Sequence, residues 1–183
     1  MNRSLVPMKL SRRTFLRGAV TLPVFASPLA ALATAVEQRS VSFVHTHTGE
    51  TLATTYFRDG AYDATSLAKV NHLLRDFRSG EAAAMDKGLL DILYDLQVLA
   101  DRESTFEIIS GYRSPHTNAA LRKKSGGVAE KSLHMQGKAL DIRFTGFPTK
   151  KLRDYALSLQ RGGVGYYASS NFLHVDTGRV RFW

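Results

Sequence analysis

Ser132-Leu133-His134-Met135-Gln136-Gly137-Lys138-Ala139-Leu140-Asp141-Ile142-Arg143-Phe144 is the stretch on which the reading turns. Residues 138–144 alternate as a β-strand does, so Ala139, Asp141 and Arg143 share one face and Leu140, Ile142 and Phe144 the other. The apolar set belongs to a core, which leaves Asp141 on the opposite, working face. Gly137 lets the chain bend just before the strand, close enough for His134 and Asp141 to converge. A second stretch, Phe172-Leu173-His174-Val175-Asp176, follows the same rule. Leu173 and Val175 point to the core, and His174 and Asp176 project together from the other side.

Outward from these strands, residues 41–46 and 51–57 read as a pair of strands joined through His47-Thr48-Gly49-Glu50. Leu67, Val70, Leu73, Leu74 and Phe77 recur at helical spacing, with Asp63 or Thr65 as cap and Gly80 as stop. A second helix carries Leu89, Ile92, Leu93, Leu96 and Leu99. Residues 105–110 form a short strand, and Ser114-Pro115 opens a helix running to about Lys124. A helix through Leu152 to Leu159 and short strands at 164–167, 172–176 and 179–182 complete the pattern. Strands at both ends with helices between, and no regular βαβ repeat, predict one α+β domain with a small antiparallel sheet flanked by helices.

The chain has 183 residues, 44% of them hydrophobic, which suits one globular domain with a real core and excludes a disordered chain. Cysteine is absent, so there is no disulfide framework, cysteine nucleophile or thiolate metal site. Of the net charge of +9, five units come from Arg3, Lys9, Arg12, Arg13 and Arg17, leaving +4 for the remainder. No basic stretch is interleaved with aromatics, so nucleic acid is not an expected partner.

Those five cations mark a leader. Arg12-Arg13 precedes an uncharged, Ala-rich run from Gly18 to Val36, followed by small-x-small sites at Ala31-Leu32-Ala33 and Ala33-Thr34-Ala35. This order predicts a cleaved secretory signal over residues 1–35, with a mature domain over 36–183. The twin arginine points to the twin-arginine export route and a periplasmic protein. Pro23 and Pro28 interrupt a run already at the short edge of the roughly 20 residues a spanning helix needs, so no stable membrane insertion is expected after cleavage.

Two imidazoles and one carboxylate on neighbouring strands make a suitable zinc set. Three protein ligands leave a fourth tetrahedral position for water, the arrangement of a catalytic site. Spacing alone leaves His134 and His174 as either ligands or packed residues.

The motif Ser132-x-His134-x-x-Gly137-x-Ala139-x-Asp141 with a later His174 resembles the LAS metallopeptidases, which include lysostaphin-type enzymes and D-Ala-D-Ala carboxypeptidases. Ser110-Gly111-Tyr112-Arg113-Ser114 matches that family's arginine-bearing turn. His47-Thr48-Gly49-Glu50, Gly162-Gly163-Val164-Gly165-Tyr166-Tyr167 and His174-Val175-Asp176-Thr177-Gly178-Arg179 are similar to its YcbK-like, murein endopeptidase K branch. The resemblance implies a hedgehog/DD-peptidase-like fold and a periplasmic zinc peptidase, one Zn2+ per chain, acting on peptidoglycan cross-links. It implies His134, Asp141 and His174 as metal ligands and Arg113 as the cation beside the scissile carbonyl. Ser132 would hold substrate or support a ligand.

Relatives often carry a Glu three residues, or a His two residues, before the last ligand; here Asn171 and Phe172 stand there. Asp176 is then the candidate general base, or alternatively a carboxylate that orients His174. The missing base keeps open a non-catalytic peptidoglycan-binding protein, and a further reading keeps the enzyme but changes the bond, to a D,D- or L,D-carboxypeptidase. His45 and His47 read as a polar strand end, His72 as a partly exposed helix residue, His116 carries no assignment, and Arg122-Lys123-Lys124 reads as a solvated helix face.

Overall fold

A computed structural model describes residues 37–183. The predicted leader lies outside the described residues. The chain runs β1 (Gln38–His45), β2 (Thr51–Arg58), β3 (Ala61–Tyr62), α1 (Ala64–Leu73), α2 (Lys87–Leu99), β4 (Thr105–Ser110) and α3 (Pro115–Lys124). A single 3-10 turn (Leu133–Gln136) then leads into β5 (Ala139–Phe144), α4 (Thr149–Leu159), β6 (Gly163–Tyr167), β7 (Phe172–Asp176) and β8 (Arg181–Phe182).

The α+β class holds, but the sheet is neither small nor wholly antiparallel. Eight strands lie in the order β3-β2-β1-β4-β5-β7-β6-β8, and two of the joints, β1 with β4 and β6 with β8, are parallel. The first parallel joint follows from the connection: α1 and α2 both intervene between β1 and β4, and a long helical crossover returns the chain in the same direction. The predicted strand at 179–182 is shorter than expected, only Arg181–Phe182 pairing beside β6.

The helices begin where side-chain acceptors are available. Asp63 accepts the Ser66 N–H at 2.6 Å, Asp86 the Gly88 N–H at 2.9 Å and Ser114 the Thr117 N–H at 3.2 Å. Helix α1 stops at Leu73, short of the Phe77 that its periodicity suggested. The reason is Asp76, which is buried and whose carboxylate accepts the N–H groups of Arg78 (3.0 Å) and Ser114 (2.9 Å). Those bonds favour a turn over further helix, and Phe77 stacks on His47 instead, with ring centroids 4.2 Å apart.

One core joins the sheet to α1, α2 and α4. Leu89, Leu90, Leu93 and Leu96 of α2 meet Phe43, Phe106, Ile108, Leu140 and Ile142 of the sheet, all of them buried. The buried Asp91 of α2 is tied down by Tyr56 Oη at 3.0 Å, Tyr62 Oη at 2.6 Å and Arg39 at 2.9 Å, which fastens that helix to β1, β2 and β3. With its partners in place, this buried carboxylate does not stand uncompensated.

Candidate metal centre

The central strands position two of the three candidate ligands. In β5, Leu140, Ile142 and Phe144 enter the core and Asp141 faces the other way. In β7, Leu173 and Val175 are buried in the core, which turns His174 and Asp176 to the face that carries Asp141. The antiparallel register places Asp141 directly opposite His174 and Ala139 opposite Asp176. His174 Nδ1 lies 2.9 Å from Asp141 Oδ1.

His134 reaches the same place from the 3-10 turn. Gly137 closes that turn in the left-handed region, at φ 66°, and a Cβ there would sit 2.3 Å from the Ala84 carbonyl oxygen. Only glycine satisfies both conditions. The His134 Nδ1–H donates to the Gly111 carbonyl at 2.8 Å, which leaves the Nε2 lone pair facing inward, 3.4 Å from Asp141 Oδ2.

One ligand atom from each of His134, Asp141 and His174 lies within 4.8 Å of the others, and all three residues are buried. The donor set of two imidazole nitrogens and one carboxylate suits a tetrahedral zinc ion with one open position. The outer nitrogens fit as well: that of His134 is held by a carbonyl and that of His174, Nε2, lies 3.1 Å from Asp176 Oδ2. Ligand imidazoles are characteristically anchored in this way. No other such group of three occurs among the described residues.

The electrostatics agree. Burial works against ionisation of Asp141, but His134 and His174 outweigh it and hold its carboxyl well below the usual range. Burial likewise opposes charge on His174, while hydrogen bonds to Asp141 and Asp176 raise its pKa. A proton and a bound cation would therefore compete for His174.

Asp176 is fully enclosed. Its Oδ1 accepts the N–H groups of Gly163 (3.0 Å) and Gly178 (2.8 Å), and Arg181 grips both oxygens, at 3.0 and 2.7 Å. The side chain is 0% exposed, so neither oxygen faces the cleft. Arg113 is different. Its Nε is buried without a partner, and its outer nitrogens have long contacts to Asn118 (3.3 Å), Ser110 (3.4 Å) and Asp141 (3.9 Å). Burial lowers the pKa of this guanidinium and Asp141 partly restores it. Ser132 precedes the 3-10 turn without capping it and lines the same cleft.

That cleft has a volume of about 560 Å³ and opens onto all three candidate ligands. Among the described residues, Asp141 is the only acidic side chain in its lining. Arg181, Trp183 and Tyr167 also line it and were not singled out from sequence. For Arg181 and Trp183 the signal was Gly163 and Gly165, alternate residues of one strand whose missing side chains make room for them. His45 is buried beside Phe77 rather than at a polar strand end. His47, His72, His116 and the Arg122-Lys123-Lys124 run are exposed.

Comparison with known proteins points the same way. The sequence pattern of a family described as peptidoglycan L,D-endopeptidase MepK matches residues 33–183. The peptidoglycan L,D-endopeptidase MepK of Escherichia coli (strain K12) is 42% identical over 166 residues, covering 91% of this chain and 90% of that protein. A probable peptidoglycan L,D-endopeptidase MepK of Haemophilus influenzae is 39% identical over 166 residues, covering 90% and 89%. No solved structure matches the chain.

Proposed function

The chain belongs to the peptidoglycan L,D-endopeptidase MepK family, and on that premise we propose that its His134–Asp141–His174 centre is a zinc site for hydrolysis of amide bonds in murein cross-links. The protein is a peptidoglycan endopeptidase, and the specific bond proposed is the L,D type carried in the relatives' names. The observation that carries the zinc assignment is the convergence of three buried donors whose outer nitrogens are already anchored.

When bound, zinc supplies Lewis acidity and brings the pKa of water toward about 7. His134 Nε2, Asp141 and His174 Nδ1 would hold it. Arg113 reaches the cleft with donors only loosely engaged, so its guanidinium is free to take the charge that develops on a scissile carbonyl oxygen. Asp176 is assigned the orienting role, because its enclosed oxygens fix His174 and cannot meet substrate. Ser132, which lines the cleft, holds the peptide at its wall in this reading.

The same proposal includes a cleaved twin-arginine leader over residues 1–35, a peptidase domain over 36–183 in a hedgehog/DD-peptidase-like fold, and a periplasmic location. Among the described residues no helix is long and apolar enough to cross a membrane.

The test is to measure zinc in natively purified protein and to follow muropeptide dimers by chromatography and mass spectrometry. About one zinc per chain and conversion of dimers to monomers are expected. Release of a terminal D-amino acid without loss of dimers would instead assign a carboxypeptidase.

A further inference from the structure

We infer that Trp183 is a substrate-binding residue of this endopeptidase site, its indole forming the apolar wall against which the aliphatic stem of the cross-linking diamino acid packs. The inference rests on the peptidoglycan reading above and deepens it.

Trp183 sits beside the metal centre. Its ring centroid is 5.3 Å from that of His174, and the residue lines the cleft into which His134, Asp141 and His174 open. The approach is possible because Gly165, the register partner of His174 on β6, has no side chain. A Cβ at Gly165 would lie 2.5 Å from Trp183 Cε2, so the indole rests where a side chain would otherwise stand.

The indole is also held in place. Trp183 N–H donates to the Val164 carbonyl at 3.2 Å, the Tyr166 N–H donates to the Trp183 carbonyl at 3.0 Å, and indole Nε1–H donates to Tyr167 Oη at 3.0 Å. The Arg181 guanidinium lies 5.1 Å from the ring, and Tyr167 is itself stacked on Phe172 at 4.5 Å. Even so, Trp183 remains 51% exposed. A large aromatic fixed in advance and left half in water forfeits little freedom when a ligand covers it.

The chemistry narrows the ligand. With Nε1–H committed to Tyr167, the free surface offers no hydrogen-bond donor and selects apolar contact. Arg113 supplies the charged side of the same cleft. A peptidoglycan cross-link passes through the side-chain amine of a diamino acid, so a run of methylenes lies next to the amide that joins the two peptides. That run is the part of the substrate an indole beside His174 can cover.

The test compares zinc-loaded full-length wild type, W183A and W183F on purified muropeptide dimer. For W183A, KM is expected to rise roughly tenfold with kcat within about threefold, and W183F to recover most of the loss. Zinc per chain is expected to be equal in all three. Trp183 is the only tryptophan of the sequence, so wild-type emission should change on mixing with dimer and saturate over the concentrations that define KM. An unaltered KM in W183A, or loss of its zinc, overturns the assignment; the second result would make Trp183 a prop for His174. Intact dimers with a saturating emission change would strike the endopeptidase reading and leave the Trp183 contact standing. Intact dimers with no emission change would remove both.

Discussion

Asp141 and His174 face one another across the β5–β7 pair as register partners, and their side chains meet at 2.9 Å. The backbone ladder itself thus sets the spacing of two of the three candidate metal donors. Only His134 depends on a turn for its position, and that turn is fixed by Gly137 against Ala84.

Removing His134 leaves two donors, fewer than a catalytic zinc site uses. His134→Ala is expected to lose both bound zinc and dimer cleavage, as is wild type after chelation, with only the latter restored by added zinc. Elemental analysis alongside product chromatography reads both.

Asp176→Asn separates the two roles that sequence left open. As the group that orients His174, its loss should weaken zinc binding roughly 10- to 100-fold, and excess zinc should restore most activity. A general base would show the opposite behaviour, retained zinc and activity that excess metal does not rescue. Zinc titrations of activity distinguish them.

Arg113→Ala should retain its zinc and lose about 10²- to 10³-fold in kcat, the scale seen when one donor to a developing oxyanion is removed. Arg113→Lys keeps the charge but not the planar fork, so its kcat should fall between the two. Steady-state kinetics with parallel zinc analysis checks this.

Acid stability should report on Asp76. Burial tends to raise its pKa, but hydrogen bonds from Thr117, Ser114 and the Arg78 N–H hold it down to about 2, against an ordinary 3.8. A carboxyl depressed in the folded state stabilises it above the unfolded pKa and loses that contribution as pH falls toward the folded one. Asp76→Asn should therefore be less stable than wild type near pH 6, by on the order of 2 kcal/mol. The gap should close between about pH 4 and pH 2. Urea unfolding at stepped pH measures it.

The parts of the molecule legible in the sequence were those where local period and burial agree. Leu140, Ile142, Leu173 and Val175 left one orientation for Asp141 and His174, and the caps Asp63 and Ser114 sit where their side chains can serve. What escaped depends on contacts distant along the chain. The end of α1 is set by Asp76 reaching Ser114, 38 positions away. The parallel joint of β1 with β4 follows from how two helices cross the sheet, which periodicity does not record. Arg181 and Trp183 join the site through the empty sides of Gly163 and Gly165, and a glycine's empty side has no hydropathy signal.

Both margins of the sheet are stubs of two residues, Ala61–Tyr62 at one end and Arg181–Phe182 at the other. A long bare margin would offer a row of unpaired amides and carbonyls on which a neighbouring copy could template itself. β3 pairs only with Phe57 and Arg58 of the eight-residue β2, so among the described residues positions 51–55 have no strand on that side, and this stretch is where crowded copies could pair edge to edge.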